Sequence, residues 1–304
     1  MKKNGFTMVE LILVIIIFGI IATIGASMIA TMYQNYIRAR IINYLQAQSD
    51  ITLQQIAKRL QYRIKETAVA KISSSPDILP LYNSGVTDKY DVIQWIGYSN
   101  EAMLTPIVTV PGWSGFIDLN DEINTNSTNK RLSTPGSDLA FANTIISALT
   151  NNAVTMSSGG VALMFKGLPV SAVDPVTGYG WNATVADDDY VVRVTASTNN
   201  VFNIVGDAPD TIYEQYYLAH TAYAIAPEGT NPTDFNLTLR YNFQPWLGQR
   251  YNDTNTKSAL LATNVNLFRI RQVGSTIRLK LCLHDGNNSG IGDYVVTCKE
   301  EVVL

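Results

Sequence analysis

Apolar residues follow three successive patterns along this chain. Residues 11–30, LILVIIIFGIIATIGASMIA, carry no charge, and the first charged residue after Glu10 is Arg38. A helix of that length covers about 30 Å, the thickness of the hydrocarbon core of a bilayer, so the run predicts a membrane span. From Tyr33 the apolar spacing changes to three and four, through Tyr36, Ile37, Ile41, Tyr44 and Leu45 to Leu53, Ile56, Leu60 and Ile64. That is the stripe of an amphipathic helix. No proline or glycine interrupts residues 26–75, and the polar run 73–75 followed by Pro76 supplies a stop. One helix over residues 6–71, about 100 Å long, is expected, with a transmembrane part at 6–32 and a stalk region at 33–75.

Beyond Pro76 the pattern shifts to strands. Runs rich in Val, Thr and Tyr predict strands at 90–98, 161–165, 190–197, 201–205, 213–226 and 236–243. One helix is expected where Ser137 can cap a segment with Leu139, Ala142, Ile145, Ile146 and Leu149 on one face. The clearest unit is a hairpin, 265–273 and 276–284 around Gly274-Ser275. In it Ile277, Leu279, Leu281 and Leu283 alternate with Arg278, Lys280, Cys282 and His284, and the apolar face should lie on the stalk. A last strand is expected at 294–300. The predicted class is α+β, a long N-terminal helix packed on an antiparallel β-sheet head at 76–304.

Charge sharpens this picture only when it is divided by region. Residues 35–75 carry seven Lys/Arg against Asp50 and Glu66, whereas residues 76–304 carry thirteen Lys/Arg against twenty-two Asp/Glu, a net of −9. Such a head repels phosphate backbones, which disfavours nucleic acid as a partner. The two cysteines, Cys282 and Cys298, are close in sequence and predict one disulfide if the head is exported, with two buried thiols as the alternative.

The residues before the apolar run are more specific than its composition. Met1-Lys2-Lys3-Asn4-Gly5 precedes Phe6-Thr7-Met8-Val9-Glu10. An ordinary secretory signal would place its cleavage site after the apolar run, and the best site here, Gly25-Ala26-Ser27, falls too early and lacks an A-x-A match. The segment instead resembles the signature of type IV prepilins and type II secretion pseudopilins. That resemblance implies a leader at residues 1–5, cut by prepilin peptidase between Gly5 and Phe6, with methylation of the new Phe6 amine. The helix then stays on the mature protein.

Glu10 fits this reading on physical grounds. A carboxylate beside an apolar span is costly without a cation, and cleavage would create one at Phe6 or on a neighbouring subunit. The competing explanation is a carboxylate favoured by the start of a helix. Lys2 and Lys3 nearly balance Arg38 and Arg40 across the span, so a cytosolic N-terminus rests on the resemblance. The resemblance also implies a single-pass inner-membrane protein with its head in the periplasm or on an extracellular filament. Its partners would be other pilins or pseudopilins, an inner-membrane assembly platform, and membrane lipid before assembly. The head is large for repetition along a shaft, which points to a minor subunit.

Other candidate chemistry is sparse. His220 and His284 stand in no zinc-ligand spacing, and there is no Walker loop, G-x-G-x-x-G or G-x-S-x-G. The loop 285–293 offers Asp285, Asn287, Ser289 and Asp293 as oxygen ligands for calcium, although it lacks the glutamate that closes an EF-hand, and a plain Asn/Gly turn competes. A loop at 187–189, Asp-Asp-Asp, raises the same two readings. Trp95, Trp113, Trp181 and Trp246 are either core residues or a sugar-binding patch. The expectation is a structural subunit without catalytic residues. A tip adhesin and a membrane-tethered periplasmic enzyme are the alternatives.

Overall fold

The computed structural model describes residues 7–103, 110–167, 174–182, 186–286 and 294–304. Helix α1, Met8–Gln61, runs unbroken through the apolar segment and into the head. Its first buried residue is Leu45, and residues 8–40 include none. Beyond that point the stripe meets the sheet: Leu45, Leu53, Ile56 and Leu60 pack with Trp95, Leu239, Leu279 and Leu281. The fold is the expected α+β arrangement, with the stalk from Leu45 onward covered by an antiparallel sheet.

The helix stops about ten residues before the predicted end. Tyr62 caps it, Ile64 N–H donates to Ile96 O at 2.9 Å, and Tyr62 O accepts from Tyr98 N–H at 3.1 Å. After a short 3₁₀ turn the chain becomes strand β1, Val69–Lys71, which pairs with β2, Ile78–Pro80, and with β3, Val92–Tyr98. Ile64, Thr67 and Val69 are β-branched and weak helix formers, and hydrogen bonds to β3 outcompete further helix. Arg63, 5 % exposed, locks this exit by donating to Leu60 O, to Ser275 O and to Leu304 O.

The rest of the head adds α2, Asn100–Met103; β4, Arg131–Ser133; α3, Leu139–Thr150; β5, Val161–Phe165; α4, Pro175–Gly178; β6, Val192–Thr198; and β7, Val201–Ile204. Five long strands complete it: β8, Tyr216–Asn231; β9, Asp234–Phe243; β10, Lys257–Val273; β11, Thr276–His284; and β12, Val296–Val303. They form one sheet in the order β12-β11-β10-β9-β8-β5-β6-β7-β4, with β3 on the other edge of β8. The sheet branches at Ala219, which pairs with Tyr98 on one side and Ala162 on the other.

Three apolar clusters result. One joins the stalk to the sheet, a second lies on the opposite face around Trp181 and Trp246, and a third holds α3 against β5–β7. The α3 cap is Asp138 rather than the expected Ser137: its carboxylate accepts from Phe141 N–H at 3.1 Å. Ser137 Oγ instead accepts from Ser114 N–H at 2.9 Å and tethers a loop. The hairpin β10–β11 turns at Gly274-Ser275 as predicted, with Ile277, Leu279, Leu281 and Leu283 buried. Its other face is not uniformly solvated, because Cys282 and His284 are buried as well.

Candidate assembly helix and its head clamp

The start of α1 is built by a local capping box. Thr7 Oγ1 accepts from Glu10 N–H at 3.4 Å, while Glu10 Oε2 accepts from Thr7 N–H at 2.9 Å and from Thr7 Oγ1–H at 3.0 Å. The signal for this was present in the sequence, since Thr-x-x-Glu is the capping-box spacing. Glu10 therefore has a local structural partner as well as the candidate assembly role. Gly5 and Phe6, the expected cleavage and methylation positions, lie outside the described residues.

Above the cap the helix is apolar on all sides. Leu11, Ile15, Phe18, Ile21, Ile24 and Ile29 are all more than half exposed. The few polar side chains in the run are satisfied by the helix itself: Thr23 Oγ1 donates to Ile20 O at 2.8 Å, Ser27 Oγ to Ile24 O at 2.8 Å, and Thr31 Oγ1 to Ser27 O at 2.9 Å. Hydroxyls bonded in this way add little cost in a medium without water. Among the described residues α1 is the one helix long and apolar enough to cross a membrane. Roughly 50 Å of helix separate Glu10 from Leu45, so the whole proximal half stands clear of its own head.

At the far end the head grips the helix through its last strands. Cys282 and Cys298 are directly opposite across β11 and β12 and form a disulfide, with Cα atoms 4.0 Å apart. Lys299, next along β12, pairs with Asp50 of the helix. The bridge thus fixes the edge strand that covers the stalk.

The other predicted residues divide. Both histidines are packed. His284 Nδ1 accepts from Gly286 N–H at 3.0 Å, so Nε2 donates to Asp234 Oδ1 at 3.0 Å, and the ring stacks on Tyr294. Asp285 has both carboxylate oxygens buried without a hydrogen-bond partner. Asn287, Ser289 and Asp293 lie outside the described residues. The loop at 187–189 is a hydrogen-bonded turn in which Asp187 accepts from Asp189 N–H and Asp189 from Asp210 N–H. Among the described residues no group of three His, Cys, Asp or Glu side chains is arranged to hold a metal. All four tryptophans are buried, which removes them from any surface patch.

Comparison with known proteins supplies one match. A family described as a prokaryotic N-terminal methylation motif matches residues 1–26, and the chain therefore carries the type IV prepilin-like signal at its N-terminus. No curated protein and no solved structure matches the chain.

Proposed function

We propose that this chain is a structural subunit, a minor pilin or minor pseudopilin, that enters a type IV pilus or a type II secretion pseudopilus through the proximal half of α1. The observation that carries the proposal is a helix that is uncharged, apolar and without a buried residue over residues 11–32, directly behind a prepilin-like signal. In water that surface has no stable resting place; in a bilayer, or bundled with other such helices, it does. Prepilin peptidase would cut after Gly5 and methylate Phe6. Glu10 would exchange its Thr7 contacts for the amine of a neighbouring Phe6, a charge pair that becomes strong once both groups leave water. The chain would cross the inner membrane once, with the head outside the cytoplasm, where the Cys282–Cys298 bridge is stable. The unpaired Asp285 carboxylate supports the loop at 285–293 as a calcium ligand set, with Asn287, Ser289 and Asp293 as the remaining oxygens.

Mass analysis of the native chain tests the assignment. A mature N-terminus at methylated Phe6 is expected; a chain that still begins at Met1, or that begins after Ala30, overturns it. Glu10→Ala should abolish incorporation into filaments while the head keeps its fold and its disulfide. Unchanged incorporation would remove the role given to Glu10.

A further inference from the structure

The outer face of the β10–β11 hairpin carries like charges directly opposite one another. Arg269 pairs with Lys280 and Arg271 with Arg278 across the ladder, so the members of each pair share a face. The alternate residues Phe268, Ile270, Leu279 and Leu281 pack toward the stalk, which turns all four cations away from it. Like charges opposite one another in a sheet are destabilising, so the folding of the hairpin gives no reason for two such pairs side by side. Their counter-charges are few. Lys280 Nζ lies 3.2 Å from Glu300 Oε1 and Arg269 Nε 3.8 Å from Asp88 Oδ1. Arg271 and Arg278 are exposed and have no hydrogen bond or ion pair with any described residue. Buried Arg63, which donates to Ser275 O at 3.2 Å, adds a further positive charge at the turn between them.

The opposite charge is gathered elsewhere on the same sheet. Asp187, Asp188 and Asp189 lead into β6 while Asp207 and Asp210 follow β7, so the open end of that hairpin brings five carboxylates together. Asp210 N–H donates to Asp189 Oδ1 at 2.7 Å. The cations beside them are Lys130, 3.7 Å from Asp207, and Arg193, next to Asp188. Burial, and after it the charge of Asp207, raises the Asp188 carboxyl above the usual range. In the sheet order β10 and β11 lie on one side of β9, β8 and β5, and β6 and β7 on the other. Both patches stand level with the far end of α1. Arg63 holds the β10–β11 turn there, and Asp187 N–H donates to Gly178 O at 3.1 Å in the segment whose Trp181 Nε1 donates to Thr67 O at 3.0 Å.

A flat strand face gives a small molecule no concave pocket, so the partner of the cations is a surface. Glu300 and Asp88 show that carboxylates suit these cations, and a carboxylate can meet a guanidinium with two hydrogen bonds. Lipid headgroups are out of reach, because the turn is tied to the end of α1, about 75 Å along the helix from Glu10. Nucleic acid is disfavoured, since the adjoining outward residues Glu300 and Val302 offer no ring to stack a base, and a hairpin paired with β12 cannot enter a groove as a free ribbon. We propose that the cationic face of β10 and β11 docks on the acidic loops 187–189 and 207–210 of a second copy of this chain. The contact is heterologous, joining unlike patches, and two copies with parallel stalks in one membrane present those patches at the same height. It rests on the membrane anchoring proposed above and not on prepilin processing.

Exposed ion pairs are individually weak, so the test uses high protein concentration and low salt. The full chain, with residues 1–5 in place, is followed in a nonionic detergent by sedimentation equilibrium. Because the leader is present, a mature N-terminus other than Phe6 would refute the assembly reading and leave this result standing. Wild type should self-associate in about 20 mM salt and lose about tenfold in affinity at about 300 mM. Arg271→Glu with Arg278→Glu removes the cationic face, and Asp207→Lys with Asp210→Lys removes the acidic one, all at exposed positions. Each double variant alone should associate about tenfold more weakly with an unchanged melting temperature. Mixed, the two should recover the wild-type affinity, because the intact hairpin of one meets the intact loops of the other. If charge reversal lowers the melting temperature, Arg271→Gln with Arg278→Gln and Asp207→Asn with Asp210→Asn take their place. The proposal is overturned by association that is absent or insensitive to salt, by an undiminished variant, or by a mixture that does not recover. Tighter binding of duplex DNA or polyglutamate than of the second copy, at the same salt, also overturns it.

Discussion

Acid should destabilise this head through His220, and the size of the effect follows from its burial. The ring is enclosed at the branch of the sheet, and desolvation lowers its pKa from the ordinary 6.5 to about 4. Desolvation is the cause of the shift, and the charged groups nearest along the adjoining surface, Lys58, Arg59 and Glu101, are exposed to solvent. Because the folded pKa lies below the unfolded one, the unfolded chain binds the proton first. Stability is complete above about pH 6.5 and falls as the pH drops toward 4. At 1.36 kcal/mol per pH unit, the loss reaches about 3 kcal/mol by pH 4, a large fraction of the stability of a domain. The assay is urea unfolding of wild type and His220→Gln, followed by tryptophan fluorescence from pH 7 to pH 4. Other carboxylates contribute to both proteins, so the difference isolates the histidine. Wild type should lose about 3 kcal/mol more than the variant across that range. Parallel losses would mean that the ring is not desolvated as the sheet branch requires.

Removing the bridge with Cys282→Ser and Cys298→Ser opens a loop of 16 residues and should cost about 3 kcal/mol, read as a lower urea midpoint, with early exchange of the β12 amides. Ile56→Ala, at a fully buried position between stalk and sheet, should cost about 2–5 kcal/mol, whereas Val302→Ala, 56 % exposed on β12, should change the midpoint little. If Asp285 takes calcium, millimolar calcium should raise the melting temperature relative to chelator, and Asp285→Asn should abolish that rise.

The local parts of the fold were legible because their signals are local. The span at residues 11–30, the hairpin about Gly274, and the strand at Val161–Phe165 were each written in spacing and turn residues. The stalk stripe was read correctly as far as Leu60. The error at its end came from a partner far along the chain: β3 supplies hydrogen bonds that residues 62–71 accept in place of helix. The same reason moved the α3 cap by one residue, since Ser137 was engaged by Ser114 from another loop.

What the sequence determined by itself was the anchor and its signal, because an uncharged run of bilayer length and a short motif need no tertiary partner to be recognised. The disulfide was inferable only as a pairing, while its role as a clamp on the stalk depended on β12 lying against α1 beside the Asp50–Lys299 pair. The tertiary structure alone decided that His220 was desolvated, and it alone placed the bulges at His220 and Asn242. A bulge exists only in the register between two strands, and register is fixed by the burial of whole faces rather than by the residue that bulges.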